Sequence, residues 1–438
     1  MKVLFFMKKN RINIITLGCY KNLVDSEGLL GQLKTHGFEV LHESNENNYD
    51  TVIINTCGFI GDAKEESIQT ILQFAKAKKQ GLIKKIFVVG CLTERYKEEL
   101  KKEIPEADYF LGINKTEEIL KILKSKDHSL LTGERIITTP SHYAYLKIAD
   151  GCNNKCSFCA IPIIRGKHIS RSIEDIVKEA NYLADKGVKE IILIAQDLTY
   201  YGIDNYKKRS ITRLVEELLK VKKIKWIRLQ YAYPSDFPMD LLDVMKHSPN
   251  ICKYLDISFQ HVSDRILKSM KRRFSQKESY DFIEKIREKI PGIALRTSLI
   301  VGYPGETEKE FNELISFIKT IRFDRLGVFK YSHEEGTEAF SLKDNISEKK
   351  KQERMDELMQ IQQRISGELN TLKINKTLKT IIDRQEGEYY VGRTEFDSPE
   401  VDNEVLINVD EQKLKIGNFY KIQIESADDF DLYGKIVN

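Results

Sequence analysis

Cys152, Cys156 and Cys159 lie within one short run, Ala149-Asp150-Gly151-Cys152-Asn153-Asn154-Lys155-Cys156-Ser157-Phe158-Cys159. Three thiolates at this Cys-x(3)-Cys-x(2)-Cys spacing can hold three irons of a cubane 4Fe–4S cluster, because soft thiolate is the preferred ligand of such clusters. The fourth iron is then left open. Zinc is the competing occupant, but it normally takes a fourth Cys or His with paired spacing, and the nearby His168 lies beyond Pro162.

An open iron can chelate the amino and carboxylate groups of S-adenosylmethionine. An electron passed into the sulfonium then breaks a carbon–sulfur bond and gives a 5′-deoxyadenosyl radical. Phe158, between the second and third Cys, is placed to shield the cluster or to stack near the adenine.

A second trio is dispersed. Cys19, Cys57 and Cys91 each follow a strand-like run and each adjoins a glycine: Gly18-Cys19, Cys57-Gly58 and Gly90-Cys91. Carboxyl ends of strands in a parallel sheet converge on one edge, where ligands bind. A second cluster on three thiolates is one reading, and three buried thiols acting as small hydrophobes is the other. Cys252 has no such context and reads as a plain buried thiol.

The elements that must position these residues fall into three blocks. Residues 8–130 alternate strand and helix, with strands at Asn13–Leu17, Thr51–Asn55 and Ile86–Val89, and a fourth possible at Asp108–Leu111. That rhythm predicts a doubly wound α/β domain with helices on both faces. A polar stretch, Ser125–Pro140, reads as a linker with a small hairpin. Residues 138–370 carry six further strands, at Tyr145–Ala149, Glu190–Ala195, Ile227–Tyr231, Tyr254–Ser258, Leu295–Val301 and Arg325–Phe329. With helices between them they predict an open, TIM-like (β/α) barrel, whose chemistry sits at the carboxyl ends of the strands. A charged amphipathic helix, Glu348–Leu372, closes this block. Residues 372–438 show short alternating strands that predict a small antiparallel β-barrel.

The chain of 438 residues is 41% hydrophobic and 31% charged, with a formal net charge of +4. No apolar run approaches the ~20 residues of a membrane span. The start, with Met1 and Met7 as possible initiators, lacks the apolar region and cleavage site of a secretory signal. A cytoplasmic location follows as the expectation. There thiols stay reduced, so the seven cysteines point to metal or catalysis rather than disulfides. The absence of an obvious coiled coil favours a monomer.

The cluster loop resembles the signature of the radical S-adenosylmethionine superfamily. Its continuation, Cys159-Ala-Ile-Pro162-Ile-Ile-Arg165-Gly166-Lys-His-Ile-Ser170-Arg171, is similar to the methylthiotransferase branch. Membership would make Cys19, Cys57 and Cys91 ligands of an auxiliary 4Fe–4S cluster that presents the sulfur to be inserted. Two clusters, two molecules of S-adenosylmethionine and a low-potential electron donor such as flavodoxin or ferredoxin are then implied. Within the same resemblance, Gln196-Asp197 at the end of the second barrel strand would help fix the methionyl amino group, although the pair departs from the commoner Gly-Gly-Glu. Gln260 and His261 would meet ribose or substrate. Ser298-Leu-Ile300-Val-Gly302-Tyr-Pro304-Gly305 looks like the adenine-side motif, while Thr307 and Glu310 read as a capping box. Arg165 and Arg296 could bind carboxylates, with solvated surface charge the alternative for Arg165. Lys330 and Tyr331 are weaker candidates.

Two branches of methylthiotransferase share this layout. One modifies an adenosine beside the tRNA anticodon (the MiaB type), the other an aspartate of ribosomal protein S twelve (the RimO type). Leu17-Gly-Cys-Tyr-Lys-Asn-Leu-Val-Asp-Ser-Glu27, Asn55-Thr-Cys-Gly-Phe-Ile60, Gly90-Cys-Leu-Thr-Glu-Arg-Tyr96 and Tyr231-Ala-Tyr-Pro234 are similar to the second. Tyr20 departs from it, standing where many relatives have Pro. The last block resembles the TRAM module, usually linked to RNA binding. From Asp397 to Asn438 ten acidic residues outnumber four basic ones, a net −6. Such a surface repels phosphate and suits a basic protein partner, as ribosomal proteins are. What the resemblance implies is methylthiolation of the β-carbon of that aspartate by a carbon radical that captures a methylthio group.

Overall fold

A computed structural model describes residues 11–45, 49–125, 135–410 and 413–437. The start positions Met1 and Met7, and most of the linker with its expected hairpin, lie outside the described residues.

The first unit runs β1 (Arg11–Thr16), α1 (Tyr20–Thr35), β2 (Glu39–His42), β3 (Thr51–Thr56), α2 (Gly61–Lys79), β4 (Lys85–Gly90), α3 (Cys91–Glu103), β5 (Tyr109–Phe110) and α4 (Thr116–Ile122). Its sheet is parallel throughout, in the order β2-β1-β3-β4-β5. Apolar residues on alternate positions bury both faces. Val52, Ile54, Ile86 and Val88 pack on α2 and α3, while Ile12, Ile14, Ile53 and Phe87 pack on α1 and α4.

The second unit begins with β6 (Tyr143–Lys147), β7 (Ala149–Asp150), α5 (Ile161–Ile164), β8 (Ile169–Ser170), α6 (Ile173–Asp185), β9 (Glu190–Ile194), α7 (Ile203–Tyr206) and α8 (Ile211–Leu218). It continues with β10 (Trp226–Ala232), α9 (Asp240–His247), β11 (Ile251–Gln260), α10 (Asp264–Ser269), α11 (Gln276–Lys289), β12 (Ala294–Val301), α12 (Glu308–Ile321), β13 (Arg325–Lys330) and α13 (Glu348–Thr371). Six parallel strands stand in sequence order, β6-β9-β10-β11-β12-β13, and the sheet does not close. This is the expected open (β/α) barrel. Ile191, Leu193, Ile227, Leu229, Leu255, Ile257 and Phe259 face the helical layer as one core. The alternate positions therefore face the lumen, among them Tyr145, Ile192, Arg228, Gln230, Tyr254 and Asp256. Thr307 and Glu310 form the expected capping box of α12. Cys252 is buried against Trp226 and Tyr254, a plain core thiol.

The third unit comprises β14 (Thr377–Glu386), β15 (Tyr389–Thr394), β16 (Val405–Asn408), β17 (Phe419–Ala427) and β18 (Leu432–Val437), a closed barrel. It is not wholly antiparallel as the sequence suggested, because β16 and β18 pair in parallel to complete the closure.

Its acidic residues do not all face outward. The β15–β16 connection enters the central barrel from the amino-terminal ends of the strands. Arg228 donates to the carbonyls of Thr394 at 3.3 Å and Glu395 at 2.8 Å, Tyr143 Oη donates to Glu400 at 2.9 Å, and Arg296 pairs with Asp402 at 3.4 Å. Asp397 pairs with Arg325. Three of the acids counted toward a partner-binding face thus serve an internal junction. The reason is that buried arginines of the barrel need counter-charges. At its centre Arg393, 1% exposed, bridges Glu190 at 2.8 Å and Asp383, while Asp383 also meets His142 Nε2 at 2.7 Å.

These carboxylates make the junction pH-dependent. Burial alone would raise Glu190, Asp383 and Asp397, but Arg393 and Arg228, Arg393 and His142, and Arg325 and Lys373 respectively outweigh it and hold each below its ordinary value. A depressed carboxylate lends stability that is complete above its ordinary value, 3.8 for Asp and 4.5 for Glu, and that vanishes as pH falls through the lower folded value. The fluorescence of Trp226, the chain's one Trp, which packs on Phe419 of the last unit, is expected to hold steady from pH 7 to pH 5 and to change only once the pH drops below about 4. A transition already near pH 6 would contradict this account.

No helix among the described residues is long and apolar enough to cross a membrane.

Candidate cluster sites

The Cys152–Cys159 loop follows β7 at the carboxyl end of the barrel and is fastened at several points. Ser157 N donates to Met270 O at 3.0 Å, and Ser157 O accepts Ala339 N at 2.7 Å. Asn154 Nδ2 donates to Asp197 Oδ2 at 2.7 Å. Two donors face the sulfurs: Asn154 N lies 3.4 Å from Cys152 Sγ, and Arg272 Nη1 lies 3.4 Å from Cys156 Sγ. Hydrogen bonds of this kind stabilise cluster sulfurs and tune potential. All three thiols are half-buried. Burial raises Cys152 to about 11 and Cys159 to about 12. At Cys152 and Cys159 a free thiol would stay protonated, so a bound metal is what would hold these two as thiolates.

Cys19, Cys57 and Cys91 come together at the carboxyl edge of the first sheet. Gly18, at φ 88, lets its loop approach so closely that a Cβ there would sit 2.6 Å from Cys57 Cβ. Gly90, at φ 97, likewise has no room for a side chain beside Asn55 Oδ1. The thiols are electrostatic neighbours: burial, with smaller contributions from Cys19 and Cys57, raises Cys91 to about 12 against the opposing pull of Arg165. Cys19 goes the other way. Burial opposes ionisation there, but Lys21, Arg165 and the backbone N–H groups of Asn22 and Lys21 outweigh it. Among the described residues no three His, Cys, Asp or Glu side chains converge as on a single ion. Each trio offers three soft sulfur donors, the donor type that a cubane cluster takes on three of its four irons.

The first trio abuts the segment that leaves the cysteine loop. Cys91 packs against Ala160 and Ile164, just beyond Cys159. The first unit caps the barrel mouth through Arg95–Glu334 at 2.6 Å, Lys64–Glu334 at 2.9 Å, and Lys147 and Arg165 paired with Asp25. Tyr20, the residue that departs from the family pattern, stacks on Tyr145 of the lumen with centroids 4.0 Å apart. A flat ring there gives the Cys19 loop a barrel contact that Pro could not stack in the same way.

The remaining expected site residues divide. Phe158 packs near Ile300, Tyr303 and Tyr331 at the ends of β12 and β13, a position that suits a cofactor wall. Gln196 is half-buried at the end of β9. Gln260 ends β11 at φ 70, a strained backbone for a non-glycine residue and one that tends to mark functional sites. Asp197 is a buckle: its Oδ1 caps Thr199 at 3.0 Å while Oδ2 holds Asn154 of the cluster loop. His261 is locked, with Nδ1 accepting from Val262 N and Ser263 N and Nε2 3.4 Å from Glu306. Gly302 has a packing role, since a Cβ there would strike Lys351 of α13. Arg296 lies deep in the lumen between Asp256 at 3.5 Å and Asp402 at 3.4 Å, engaged by protein carboxylates. Arg165 is neither a solvated charge nor a free anion binder. It is buried between Asp150 and Asp25. Lys330 lies 3.8 Å from Glu348, and the Tyr331 hydroxyl is 3.2 Å from His333 Nδ1.

Arg272 and Asn22 were not singled out by sequence. Arg272 stacks over Tyr233 at 4.0 Å and reaches Cys156 from 116 residues away. Nothing local in Met270-Lys-Arg-Arg marks it. Asn22 stands three residues after Cys19, on the first turn of a helix, where an amide can reach back into the preceding loop.

Comparison with known proteins finds likenesses for all three units. The Radical SAM superfamily model matches residues 146–318, the model called Uncharacterized protein family UPF0004 matches 11–112, and the TRAM domain model matches 374–437. A protein of Cytophaga hutchinsonii named ribosomal protein uS12 methylthiotransferase RimO is 55% identical over 430 residues, 98% of each chain. Its namesake in Phocaeicola vulgatus is 56% identical over 98% of this chain and 100% of that one, and that of Bacteroides thetaiotaomicron is 55% identical over 99% of each. Among solved structures, the radical S-adenosylmethionine methyltransferase TsrM from Kitasatospora setae aligns with a TM-score of 0.54 at 13% identity, over 73% of each chain. The cobalamin-dependent S-adenosylmethionine radical enzyme OxsB aligns with a TM-score of 0.52 at 13% identity, over 76% of this chain and 55% of that one. These two likenesses are of fold.

Proposed function

The chain belongs to the RimO family of ribosomal protein uS12 methylthiotransferases, and from that premise we propose that it methylthiolates an aspartate β-carbon of uS12 using two 4Fe–4S clusters and S-adenosylmethionine. The observation that carries the reading is the apposition of two thiol trios across one barrel mouth, with Cys91 packed on the helix that leaves Cys159. Cys152, Cys156 and Cys159 would hold the cluster that binds S-adenosylmethionine, and Cys19, Cys57 and Cys91 the auxiliary one. When bound, the first supplies reductive cleavage of a carbon–sulfur bond and so hydrogen abstraction, and the second holds the sulfur to be inserted.

The chain's own residues do the rest. Asp197, Ser157 and Arg272 fix the cysteine loop, so a cluster bound there would be held in one place. Phe158, Tyr303 and Tyr331 wall that side with apolar surface. Arg95, Lys64 and Glu334 hold the first unit over the mouth, which limits water at the reacting carbon. A low-potential donor such as flavodoxin or ferredoxin would deliver the electrons, in a reducing cytoplasm, to a monomer. The exposed remainder of the acidic C-terminal module would meet the basic ribosomal protein.

The test is direct. Anaerobically reconstituted protein is given S-adenosylmethionine, reductant, and either a peptide from the uS12 loop or bulk tRNA. A methylthio mass gain on the peptide's aspartate is the expected result. The same gain on tRNA adenosine, with none on peptide, would refute the substrate assignment and favour the tRNA branch.

A further inference from the structure

We propose that Asn22 and Arg165 form a positioning pair that locks the auxiliary thiol site to the barrel cluster loop and sets the charge beside it. The inference rests on the reading of Cys19, Cys57 and Cys91 as cluster ligands.

Asn22 touches all three auxiliary loops with one buried amide. Its Nδ2 donates to Leu17 O at 2.9 Å and to Thr56 O at 3.1 Å, the carbonyls that precede Gly18-Cys19 and Cys57. Its Oδ1 lies 3.7 Å from Cys91 Sγ. Its backbone carbonyl accepts Asn55 Nδ2 at 3.0 Å. An aspartate lacks the donor and a leucine lacks both functions, so only an amide meets this demand.

That same Oδ1 accepts Arg165 Nη2 at 2.6 Å. Arg165 comes from the barrel, just after α5, and its side chain is 1% exposed. Its Nη1 grips both oxygens of Asp150 at 3.0 Å, and Asp150 immediately precedes the Gly151-Cys152 turn. Nη2 also meets Asp25 at 3.1 Å. One guanidinium therefore ties the base of one cysteine loop to the residue that gathers the other three. Sequence separations of 143 and 140 residues are spanned by these contacts.

The charges give the pair a second consequence. Arg165 and Lys147 balance Asp25 and Asp150. Without Arg165 this half-buried group carries one net negative charge beside the auxiliary thiols. Negative charge disfavours adding an electron, so the midpoint potential of an auxiliary cluster should fall.

The experiment uses the full chain with Cys152→Ala, Cys156→Ala and Cys159→Ala, which leaves one trio. About four irons per chain should remain after reconstitution. None remaining would sink the cluster reading itself, separately from the pair. In this background Arg165→Gln, Arg165→Lys and Asn22→Ala are compared by iron content and by a potentiometric titration followed by electron paramagnetic resonance. Arg165→Gln should keep iron and shift the midpoint negative, Arg165→Lys should restore most of the shift, and Asn22→Ala should lose iron. A midpoint that stays put in Arg165→Gln, iron lost alike from the Gln and Lys variants, or full iron in Asn22→Ala would overturn the proposal.

Discussion

Replacing Cys152, Cys156 and Cys159 together by alanine is expected to abolish formation of 5′-deoxyadenosine and of methylthiolated peptide while leaving the fold intact. The loop is tied down by groups other than its sulfurs. Ser157 N to Met270 O, Ala339 N to Ser157 O and Asn154 to Asp197 all survive the change. The lost thiols are half-buried rather than part of the core. Iron should fall from about eight to about four per chain, since only the second trio then ligates. Activity should drop below detection, because the radical chemistry has no second route. Product formed at even a few per cent of the wild-type rate would show that the reducing cluster is held elsewhere. A chain that binds no iron at all would refute the reading of Cys19, Cys57 and Cys91 as a second cluster site.

Arg393→Ala should have the largest effect on stability away from the cysteines. The guanidinium is 1% exposed and is the common partner of Glu190 and Asp383, with Nη1 also donating to Asp397 O at 3.2 Å. Removing one partner of a buried ion pair typically costs about 3–5 kcal/mol, because the remaining charges lie uncompensated. Here Glu190 keeps Arg228 at 2.8 Å and Asp383 keeps His142, so the lower half of that range is expected. That loss should appear locally, as roughly a hundredfold faster amide exchange in β14 and β15 and at the start of β9. Arg393→Lys should recover only part of the protection, since an ammonium cannot bridge both carboxylates in one plane. Exchange unchanged in Arg393→Ala would mean that the module is held by its apolar contact alone, Trp226 and Tyr254 against Ile381 and Phe419.

Both expectations concern residues at opposite ends of one barrel. The carboxyl ends of the strands carry the cysteine loop and the capping first unit. The amino ends receive the β15–β16 connection. A central sheet that stays open between β6 and β13 is thereby covered above and below.

β2 and the order of the first sheet were not legible in the residues alone, but six ligand candidates, most of the strands of both parallel sheets and the three-unit layout were. These are local properties. A Cys-x(3)-Cys-x(2)-Cys loop needs no distant partner to be recognisable, alternating apolar runs declare strands, and Gly18 and Gly90 mark tight approaches beside ligands. Thr307 and Glu310 were legible as a cap for the same reason: their partners lie within one turn. The tertiary structure alone decided what the charged residues do. Arg165 looked like an anion binder until Asp25, Asp150 and Asn22 closed around it. Arg296 looked like a carboxylate binder for a ligand, and Asp397, Glu400 and Asp402 like an open acidic face, until the last module inserted those acids into the barrel. His261 and Gly302 took packing roles because Glu306 and Lys351 arrive from elsewhere. A charge is settled by whichever opposite charge shares its burial, and sequence spacing carries no record of a partner more than a hundred residues away.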